Sequence, residues 1–373
     1  MKLLDRLRRA PREAADIAVV GTGLPALAVA SALAARRRRV VLLGPADDEG
    51  PPGVGLAVLG PSRPYDRVVR ERGHDEARAL WTAGRENLAA LVSLLPDAGR
   101  DRALTARGSF LLAADRTEAE SLAESEDMLR DDGFSGEFLD HYMLESRFDV
   151  SGFAGAYWAA EGAEIDLAAV RGVLVDAARS AGVAFAPAPV RSIAVDRRGV
   201  TVETEAGEVR AGAGVVATEA ATGALVPDVG GLLQPAASAR IRFTPEAGAA
   251  LPTAARSADG TNCWVATPDG LTVAATGLAD PGDVARLDAL AARLHALPGT
   301  ARRWDEPGEV TVDGLPVVGL VRGGPLAVAC GFGALAASFA FVAARWVAEA
   351  LVSGRDPTPE PLRPREADAG TAV

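Results

Sequence analysis

Three small residues at fixed spacing, Gly21, Gly23 and Ala26, form a GxGxxA pattern early in the chain. The first glycine permits a tight turn, the second keeps the start of a helix clear of side chains, and a small third residue lets the helix approach a strand closely. Unpaired N–H groups and the dipole at a helix N-terminus stabilise negative charge. This chemistry predicts a site for the pyrophosphate of a dinucleotide, formed by Gly21, Thr22, Gly23, Leu24, Pro25 and Ala26.

The segments around this pattern have the periodicities needed to position it. Residues 17–20 are an apolar run typical of a buried strand, and residues 40–43 are a second such run. Between them, residues 24–35 are helix formers with Pro25 in the first turn, where a proline loses no hydrogen bond. A strand–turn–helix–strand unit of this length suits dinucleotide binding. The alternative is a βαβ crossover without a ligand, because GxGxxA alone is a weak signal.

The acid that usually binds the ribose of a dinucleotide is missing. It is expected about twenty residues after the glycines, at the end of the second strand, where this chain has Gly44. Asp47 and Asp48 follow shortly afterwards. Either they reach the ribose from the loop or they are solvated turn residues, and the sequence leaves both alternatives open.

Composition excludes several functional classes. A chain of 373 residues with 49% hydrophobic residues is globular, and a net charge of −11 argues against nucleic-acid binding, which needs a basic face. The two cysteines form no CxxC pair and the three histidines show no metal-ligand spacing, so we expect no disulfide framework, no metal site and a cytoplasmic location. Residues 325–344 are uncharged, but they are rich in alanine and glycine and contain a strand–turn–helix pattern, which argues against a membrane span.

Other segments carry local signals of secondary structure. Thr117 and Glu120 match a helix capping box, and the tail from Asp356 has a composition typical of disorder. The remaining predictions are a loop with little regular structure at 50–64, a helix at 166–181, separate strands at 208–211 and 213–218, an antiparallel sheet from strands at 238–244, 261–266 and 270–276, and a helix at 283–297.

Six further stretches, taken with the GxGxxA turn, resemble the FAD-dependent D-amino-acid oxidase, glycine oxidase and sarcosine oxidase superfamily over roughly residues 16–355. Their order and spacing are more specific than any one of them. The stretches are GSFLLA (108–113), EIDLAAVRGVLVDAARSAGV (164–183), VRSIAV (190–195), GEVRAGAGVVAT (207–218), DGLPVVG (313–319) and CGFGALAAS (330–338).

The resemblance implies a non-covalently bound FAD with its pyrophosphate on the turn at residues 21–26. It also implies a backbone contact from Val190 to the adenine, and contacts from the end of the return strand at Ala217 and Thr218. A C-terminal turn would close over the flavin ring, formed by Gly331, Phe332, Gly333 and Ala334. Such proteins oxidise a C–N bond by hydride transfer to flavin N5.

The chain departs from this family pattern in the substrate region. Gly308 stands where enzymes of the glycine oxidase type hold the arginine that binds the substrate carboxylate, and Phe341 stands where a proline is common. Since a carboxylate needs a charged, preferably bidentate partner, we expect a neutral or bulkier amine as substrate. Arg240 and Arg242, two residues apart on a predicted strand, are the candidate replacements, although they also fit a solvated sheet face.

Two residues near the implied site have a functional and a structural interpretation. Trp304 is either a wall of the substrate cavity or a core residue, and Cys330 is either a flavin neighbour or a small buried residue at a strand end.

The implied fold is α/β, with a Rossmann-like FAD-binding domain of the glutathione-reductase type and a second domain built on an antiparallel sheet. The predicted FAD-binding domain comprises residues 1–85, 145–222 and 305–373, and the substrate domain comprises residues 86–144 and 223–304. The implied function is oxidation of an amine or amino-acid-like small molecule. The alternative is a degenerate family member with weak or no FAD binding that acts as a non-catalytic partner subunit, and a homo-oligomer is also open.

Overall fold

The strand–turn–helix–strand unit predicted around Gly21 is present in the computed structural model, which describes residues 15–45, 54–61, 63–95, 103–244, 254–260, 262–267, 270–275 and 302–365. The predicted helix at 283–297 and the loop carboxylates Asp47 and Asp48 lie outside these residues. The helices are α1 (Leu24–Ala35), α2 (Tyr65–Arg72), α3 (His74–Leu94), α4 (Arg116–Asp131), α5 (His141–Phe148), α6 (Leu167–Ser180), α7 (Thr222–Leu225), α8 (Pro227–Gly230) and α9 (Ala336–Ser353).

The strands extend through the whole described chain. They are β1 (Ala15–Val20), β2 (Val40–Gly44), β3 (Val54–Ala57), β4 (Leu104–Thr105), β5 (Ser109–Ala113), β6 (Gly136–Asp140), β7 (Gly155–Ala159), β8 (Ala163–Asp166), β9 (Ala184–Pro187), β10 (Val190–Asp196), β11 (Gly199–Thr204), β12 (Gly207–Val216), β13 (Leu233–Phe243), β14 (Ala254–Ser257), β15 (Asn262–Thr267), β16 (Gly270–Ala275), β17 (Arg302–Thr311), β18 (Val317–Leu320) and β19 (Leu326–Cys330).

Contacts between α-carbons divide the chain into two compact units. The first comprises residues 1–50, 168–235 and 308–373, and the second comprises residues 51–167 and 236–307. The predicted domain boundaries placed residues 51–85 and 145–167 with the first unit and residues 223–235 with the second, and the contacts group each of these segments with the other unit. Residues 51–85 and 145–167 group with the second unit because α2 packs against α4, and β3 and β8 pair with each other.

The first unit is built on a parallel sheet. Strands β2, β1, β12 and β19 are neighbours, and each adjacent pair is parallel, with β9 also parallel to β2. Strands β10 and β11 form an antiparallel meander that leads into β12. The return strand, β12, is continuous through Gly212. The two separate strands predicted at 208–211 and 213–218 are therefore one element. The carboxyl ends of the parallel strands therefore lie at one edge of the sheet.

Two apolar helices cover this sheet. Helix α1 is buried almost all round and packs against α9, and the Ser31 hydroxyl on α1 donates to the Leu174 carbonyl of α6 at 3.5 Å. Residues 333–353 are long and apolar enough to cross a bilayer, the one such helix among the described residues, but most of that stretch is buried inside the unit. Burial against α1 and β18 explains its composition, as expected for the core helix of a folded domain.

The second unit contains a mostly antiparallel eight-stranded sheet in the order β17-β13-β16-β15-β14-β5-β7-β6. The pair β14 and β5 is parallel. The antiparallel sheet predicted for the substrate domain is confirmed in β13, β15 and β16, whereas β14 had no sequence signal because it has only four residues. The second unit also contains a separate small antiparallel sheet in the order β3-β8-β4. Strand β3 lies in the stretch 50–64, where little regular structure was predicted.

The structure differs from two local predictions, the capping box of α4 and the disordered tail. Helix α4 is capped by Asp115, which accepts from the Glu118 N–H at 2.9 Å, while the Glu118 carboxylate accepts from the Ala114 N–H at 2.8 Å. The capping box therefore lies two residues before the predicted pair Thr117 and Glu120. The tail also continues in ordered form to residue 365, since Leu362 is fully buried and Arg365 forms an ion pair with Asp313 at 2.7 Å.

Candidate functional site

The turn at Gly21 is formed by the close approach of two strands. Gly21 has φ +129, and its N–H donates to the Leu43 carbonyl at 2.8 Å. The Ala217 N–H donates to the Val20 carbonyl at 2.8 Å, which holds the end of the return strand against the end of β1. A β-carbon on Gly21 would overlap the Ala217 carbonyl oxygen and lie 2.9 Å from its carbon. Gly21 and Ala217, both predicted cofactor residues, are therefore in direct contact.

Gly23 is the N-cap of α1 and opens the helix as the sequence predicted. Its backbone is extended, it has no side chain to cap the helix, Pro25 occupies the first turn and no acidic residue follows there. Leu24 begins the helix, and Ala26 is fully buried against the sheet, as the third position of the motif requires. The start of α1 therefore has the geometry of an anion site.

A carboxylate that the sequence analysis missed lies over this position. A β-carbon built on Gly23 would be 2.9 Å from Glu219 Cδ, 3.0 Å from its Oε2 and 3.1 Å from its Oε1. Glu219 is largely exposed and directly follows Thr218, the end of the predicted contact segment. The sequence signal was an acidic residue immediately after the return strand, but its proximity to Gly23 follows only from the pairing of β1 with β12.

Gly44 ends β2 beside the same turn. A β-carbon there would lie 2.6 Å from Thr22 Cγ2 and 3.4 Å from the Gly21 carbonyl carbon. The Thr22 methyl group thus occupies the space that the β-carbon of a side chain at position 44 would need. Gly44 and Thr22 are neighbours, as the prediction of a shared site requires, and the three atoms nearest to a β-carbon at position 44 include no carboxylate oxygen.

Glu309 fixes the turn that follows the return strand. Its carboxylate accepts from the Thr222 N–H at 2.7 Å and, more weakly, from the Gly223 N–H at 3.4 Å. The Glu309 N–H donates to the Glu219 carbonyl at 2.8 Å. The Thr218 and Thr222 hydroxyls are hydrogen-bonded to each other at 2.7 Å. Glu309, also missed from sequence, therefore holds the backbone that carries Thr218 and Glu219.

The C-terminal turn lies at the end of β19, which pairs with β12. Gly331 and Gly333 have φ +69 and +48, conformations that side chains rarely adopt. Phe332 is buried and forms an isolated β-bridge with Val310, whereas Gly333 and Ala334 are exposed. The predicted flavin turn is thus a tight connection into α9 that presents two small residues to solvent.

Val190 opens β10 and is half-buried against the core of the first unit. It pairs with Thr204 through the sheet backbone. Its contact with an adenine ring stays a prediction.

Cys330 is a buried structural thiol. Burial, with a smaller contribution from the charge of Glu309, raises its pKa from 9.0 to about 12, and its Sγ lies 3.8 Å from the Val317 carbonyl. Since only the thiolate is nucleophilic, we expect Cys330 to resist iodoacetamide at pH 8 in the folded protein and to react after denaturation. Mass spectrometry of the labelled peptides would check this, and rapid native labelling of Cys330 would contradict it.

The substrate-side candidates lie on two neighbouring strands. Arg240 and Arg242 on β13 pair with Ala274 and Thr272 of β16. Trp304 lies on β17, and the side chains of Trp304 and Arg240 are outside what the structure describes. Arg242 is half-buried. Their roles toward a substrate stay predictions.

A buried arginine in the second unit has a structural role. Both terminal nitrogens of Arg256 donate to carbonyls, of Leu59 and Pro61, at 2.9 Å, and burial lowers its pKa to about 10. A cavity of about 30 Å³ lies beside it, lined also by Tyr65 and Tyr157. Arg256 therefore fixes the loop after β3.

Groups of three or more histidine, cysteine or acidic residues that could hold a metal ion are not found among the described residues. The main-chain arrangement fits the phosphates of FAD, since Gly21 and Gly23 leave the start of α1 open and Ala217 and Thr218 lie beside it. Among the described residues around this cradle, Glu219 carries the side chain whose negative charge would repel a phosphate. The main chain of the cradle therefore fits FAD, and the exposed Glu219 side chain would have to adopt another rotamer for a phosphate to bind beside Gly23.

Comparison with known proteins identifies the family. The profile of the family described as DAO, FAD dependent oxidoreductase, matches residues 16–350. Glycine oxidase from Geobacillus kaustophilus has 22% identity and a TM-score of 0.76, covering 94% of this chain and 98% of its own. L-proline dehydrogenase from P. horikoshii has 16% identity and a TM-score of 0.75, covering 95% and 98%.

NikD, described as an unusual amino acid oxidase essential for nikkomycin biosynthesis, has 21% identity and a TM-score of 0.73, covering 95% of this chain and 98% of its own. At these identities the likeness shows the fold alone. No curated protein matches the sequence. The α/β fold with a Rossmann-like domain is confirmed, and the profile match over most of the chain shows that it belongs to the DAO family of FAD-dependent oxidoreductases, whose cofactor is FAD.

Proposed function

We propose that this protein oxidises a C–N bond of an amine or amino-acid-like small molecule with FAD as the acceptor. The observation that carries the proposal is the turn at Gly21 and Gly23, which opens a buried helix at the carboxyl edge of a parallel sheet. Bound FAD would supply the hydride acceptor, flavin N5. The names of the similar structures, an oxidase of glycine and a dehydrogenase of L-proline, support a substrate of this class.

The chain's own residues bind and orient the cofactor in this proposal. The amide groups at the start of α1, next to Gly23, hold the phosphates, and Ala217 and Thr218 hold the opposite side of the same cradle. Small residues at Gly333 and Ala334 allow close approach of the flavin ring, and the backbone of Val190 contacts the adenine. Backbone contacts of this kind tolerate a change of side chain.

The substrate end of the proposed site lacks the family's cation. Gly308 is on β17 and offers no charge to a carboxylate. Arg242, which is half-buried on β13, and Arg240 are the proposed alternatives, and Trp304 is the proposed wall of the cavity. A neutral or bulkier amine therefore fits the proposal better than a simple α-amino acid.

A second function, a partner subunit that does not catalyse, is favoured by specific departures. Glu219 puts a negative charge where a phosphate should bind, Gly44 offers no acid to the ribose, and Gly308 offers no cation to a substrate. Each would weaken cofactor or substrate binding. Under this alternative the fold is retained for association with another chain.

The visible spectrum of the purified protein separates the two functions. Flavin absorbance that survives gel filtration, or that develops stoichiometrically on addition of FAD, supports the oxidoreductase. Bleaching of that absorbance by an amine under anaerobic conditions would then give the reaction class. Colourless protein that takes up no added FAD would leave the partner subunit as the function. Cytoplasmic location and a homo-oligomer are parts of the proposal that fractionation and light scattering would test.

Restoring the ribose acid should tighten FAD binding only when space is made for it. Gly44→Glu alone places its β-carbon against Thr22 Cγ2, so we expect little gain. Adding Gly44→Glu to Thr22→Ala should improve the FAD dissociation constant by about fivefold, since a hydrogen bond to a charged group contributes on the order of 1 kcal/mol. Titration by flavin fluorescence would measure this, with Thr22→Ala/Gly44→Leu as the uncharged control. Equal affinity of the two double variants would refute the missing-acid explanation.

A further inference from the structure

Arg256 is a buried cation in the second unit. Its two terminal nitrogens donate to the Leu59 and Pro61 carbonyls at 2.9 Å, which uses only part of the donor capacity of a guanidinium. Burial lowers its pKa to about 10, so the side chain stays protonated at neutral pH. Within the described part of the chain, no aspartate or glutamate contributes to that pKa or forms an ion pair with Arg256. Because a buried charge is costly unless it is paired, Arg256 suits an anionic ligand.

The side chain of Arg256 belongs to a row that crosses three strands. In the register of the sheet, Arg256 of β14 pairs with Leu111 of β5, and Leu111 pairs with Tyr157 of β7. All three line the cavity beside Arg256. Phe110 and Leu112, the neighbours of Leu111 in the chain, pack into a separate apolar cluster. The row therefore forms the floor of the cavity, with Arg256 as its cation.

Helices α2, α3 and α4 form the other wall of the cavity. Tyr65 and Trp81 pack edge to face with their ring centroids 4.7 Å apart, and Leu122 and Leu129 of α4 add apolar surface. An apolar and aromatic lining with one charged group is typical of a small-molecule site.

The hydroxyl groups and acids along this wall have partners of their own. The Tyr65 hydroxyl donates to Asp132, and the Ser125 hydroxyl donates to Asp66 at 2.9 Å. Asp66 also forms an ion pair with Arg70 at 2.6 Å. These groups hold the helices together, so the charge of Arg256 is the one that the lining offers to a ligand.

The volume of the cavity sets the size of that ligand. It is about 30 Å³, and since one water-sized group needs about 10–15 Å³, the space suits about two or three such groups. Formate and acetate have this size. A guanidinium binds a carboxylate through parallel N–H···O bonds, and the apolar walls suit the carbon part of such an ion.

We propose that the cavity beside Arg256 binds a small monocarboxylate of the size of formate or acetate. Its oxygens accept from Arg256, and its carbon end packs against Leu111 and the rings of Tyr65 and Trp81. The site lies wholly within the second unit. It is separate from the cradle assigned to FAD and does not rest on the proposed function.

Thermal unfolding of the full chain tests the site with sodium acetate and sodium formate as probes, at pH 7 and constant ionic strength. We expect both to raise the unfolding temperature saturably, as a ligand of the folded state does. Sodium chloride, the uncharged analogue acetamide and the oversized benzoate should give no saturable rise. An equal rise with any of these three would overturn the proposal.

Two variants locate the binding. Ala159→Leu enlarges a lining residue on β7 without altering Arg256, and Arg256→Gln removes the charge. Each should weaken acetate binding at least tenfold. Arg116→Gln, an exposed arginine paired with Glu120 at 2.8 Å, makes the same change in net charge and should respond to acetate like the unaltered protein.

Ala159→Leu decides the matter if Arg256→Gln does not fold, since Arg256 also holds the loop after β3. A cooperative transition without acetate would show that Ala159→Leu is folded. An acetate response in Ala159→Leu equal to that of the unaltered protein would place acetate outside the cavity and refute the site. The readout needs no bound flavin, so this result would leave the proposed oxidoreductase function unaffected.

Discussion

Replacing Gly21 with valine should strongly destabilise the fold, whereas replacing Gly23 with valine should leave the fold intact and abolish FAD binding. At Gly21 the new side chain meets backbone, the Ala217 carbonyl, and φ is +129. Backbone strain and overlap of this kind together cost about 2–6 kcal/mol, a large share of the stability of about 5–15 kcal/mol that proteins have.

The same substitution at Gly23 meets only a movable side chain. The nearest atoms to its β-carbon are those of the Glu219 carboxylate, and its backbone is extended with φ −72, which any residue adopts. Valine there should displace Glu219 and then block the phosphate approach to α1. The two glycines of one motif thus have different roles, the first in folding and the second in binding.

Circular dichroism melting curves and FAD titrations would check both expectations. Gly21→Val should unfold at a much lower temperature than the unaltered protein, and Gly23→Val should unfold within a few degrees of the unaltered protein while remaining colourless. Gly172→Val is the matched control, because Gly172 on α6 is exposed and a β-carbon there meets nothing within 4 Å. A Gly23→Val protein that retains flavin would show that the phosphates bind elsewhere.

The unit around Gly21 could be predicted because each of its signals is local. An apolar run, two glycines and a stretch of helix formers with Pro25 specify β1, the turn and α1 within about twenty residues. The tertiary structure agrees with these preferences, since β1, β2 and most of α1 are buried. The parallel sheet was then predicted from the order of the family motifs along the chain.

Residues placed by long-range pairing could not be predicted in the same way. Glu219 and Gly23 are far apart in sequence and meet only because β12 lies beside β1. Glu309 reaches Thr222 from β17. At the start of α4, Asp115 with Glu118 and Thr117 with Glu120 have the same spacing in the sequence, and the structure forms the cap at Asp115.

Glycine, sarcosine and ordinary D-amino acids should reduce the flavin of this protein poorly. A substrate carboxylate normally receives a charged, bidentate partner, and position 308 on β17 holds a glycine. Losing that partner costs about 3 kcal/mol, or roughly 100-fold in kcat/KM. Stopped-flow reduction under anaerobic conditions would compare these amino acids with neutral and bulkier amines, and rapid reduction by glycine would show that another cation holds the carboxylate.

Gly308→Arg is the variant in which the effect should be largest. A guanidinium at this position would supply the partner that the family places about five residues before Asp313, so reduction by glycine or D-alanine should accelerate by 10-fold or more. Gly308→Gln is the matched control, because it adds a long polar side chain without charge and should leave carboxylate substrates slow. If the unaltered protein instead reduces rapidly with glycine, Arg242→Ala becomes the informative change. Loss of that activity would identify Arg242 as the carboxylate partner, and retention would assign the role to a residue other than Arg242.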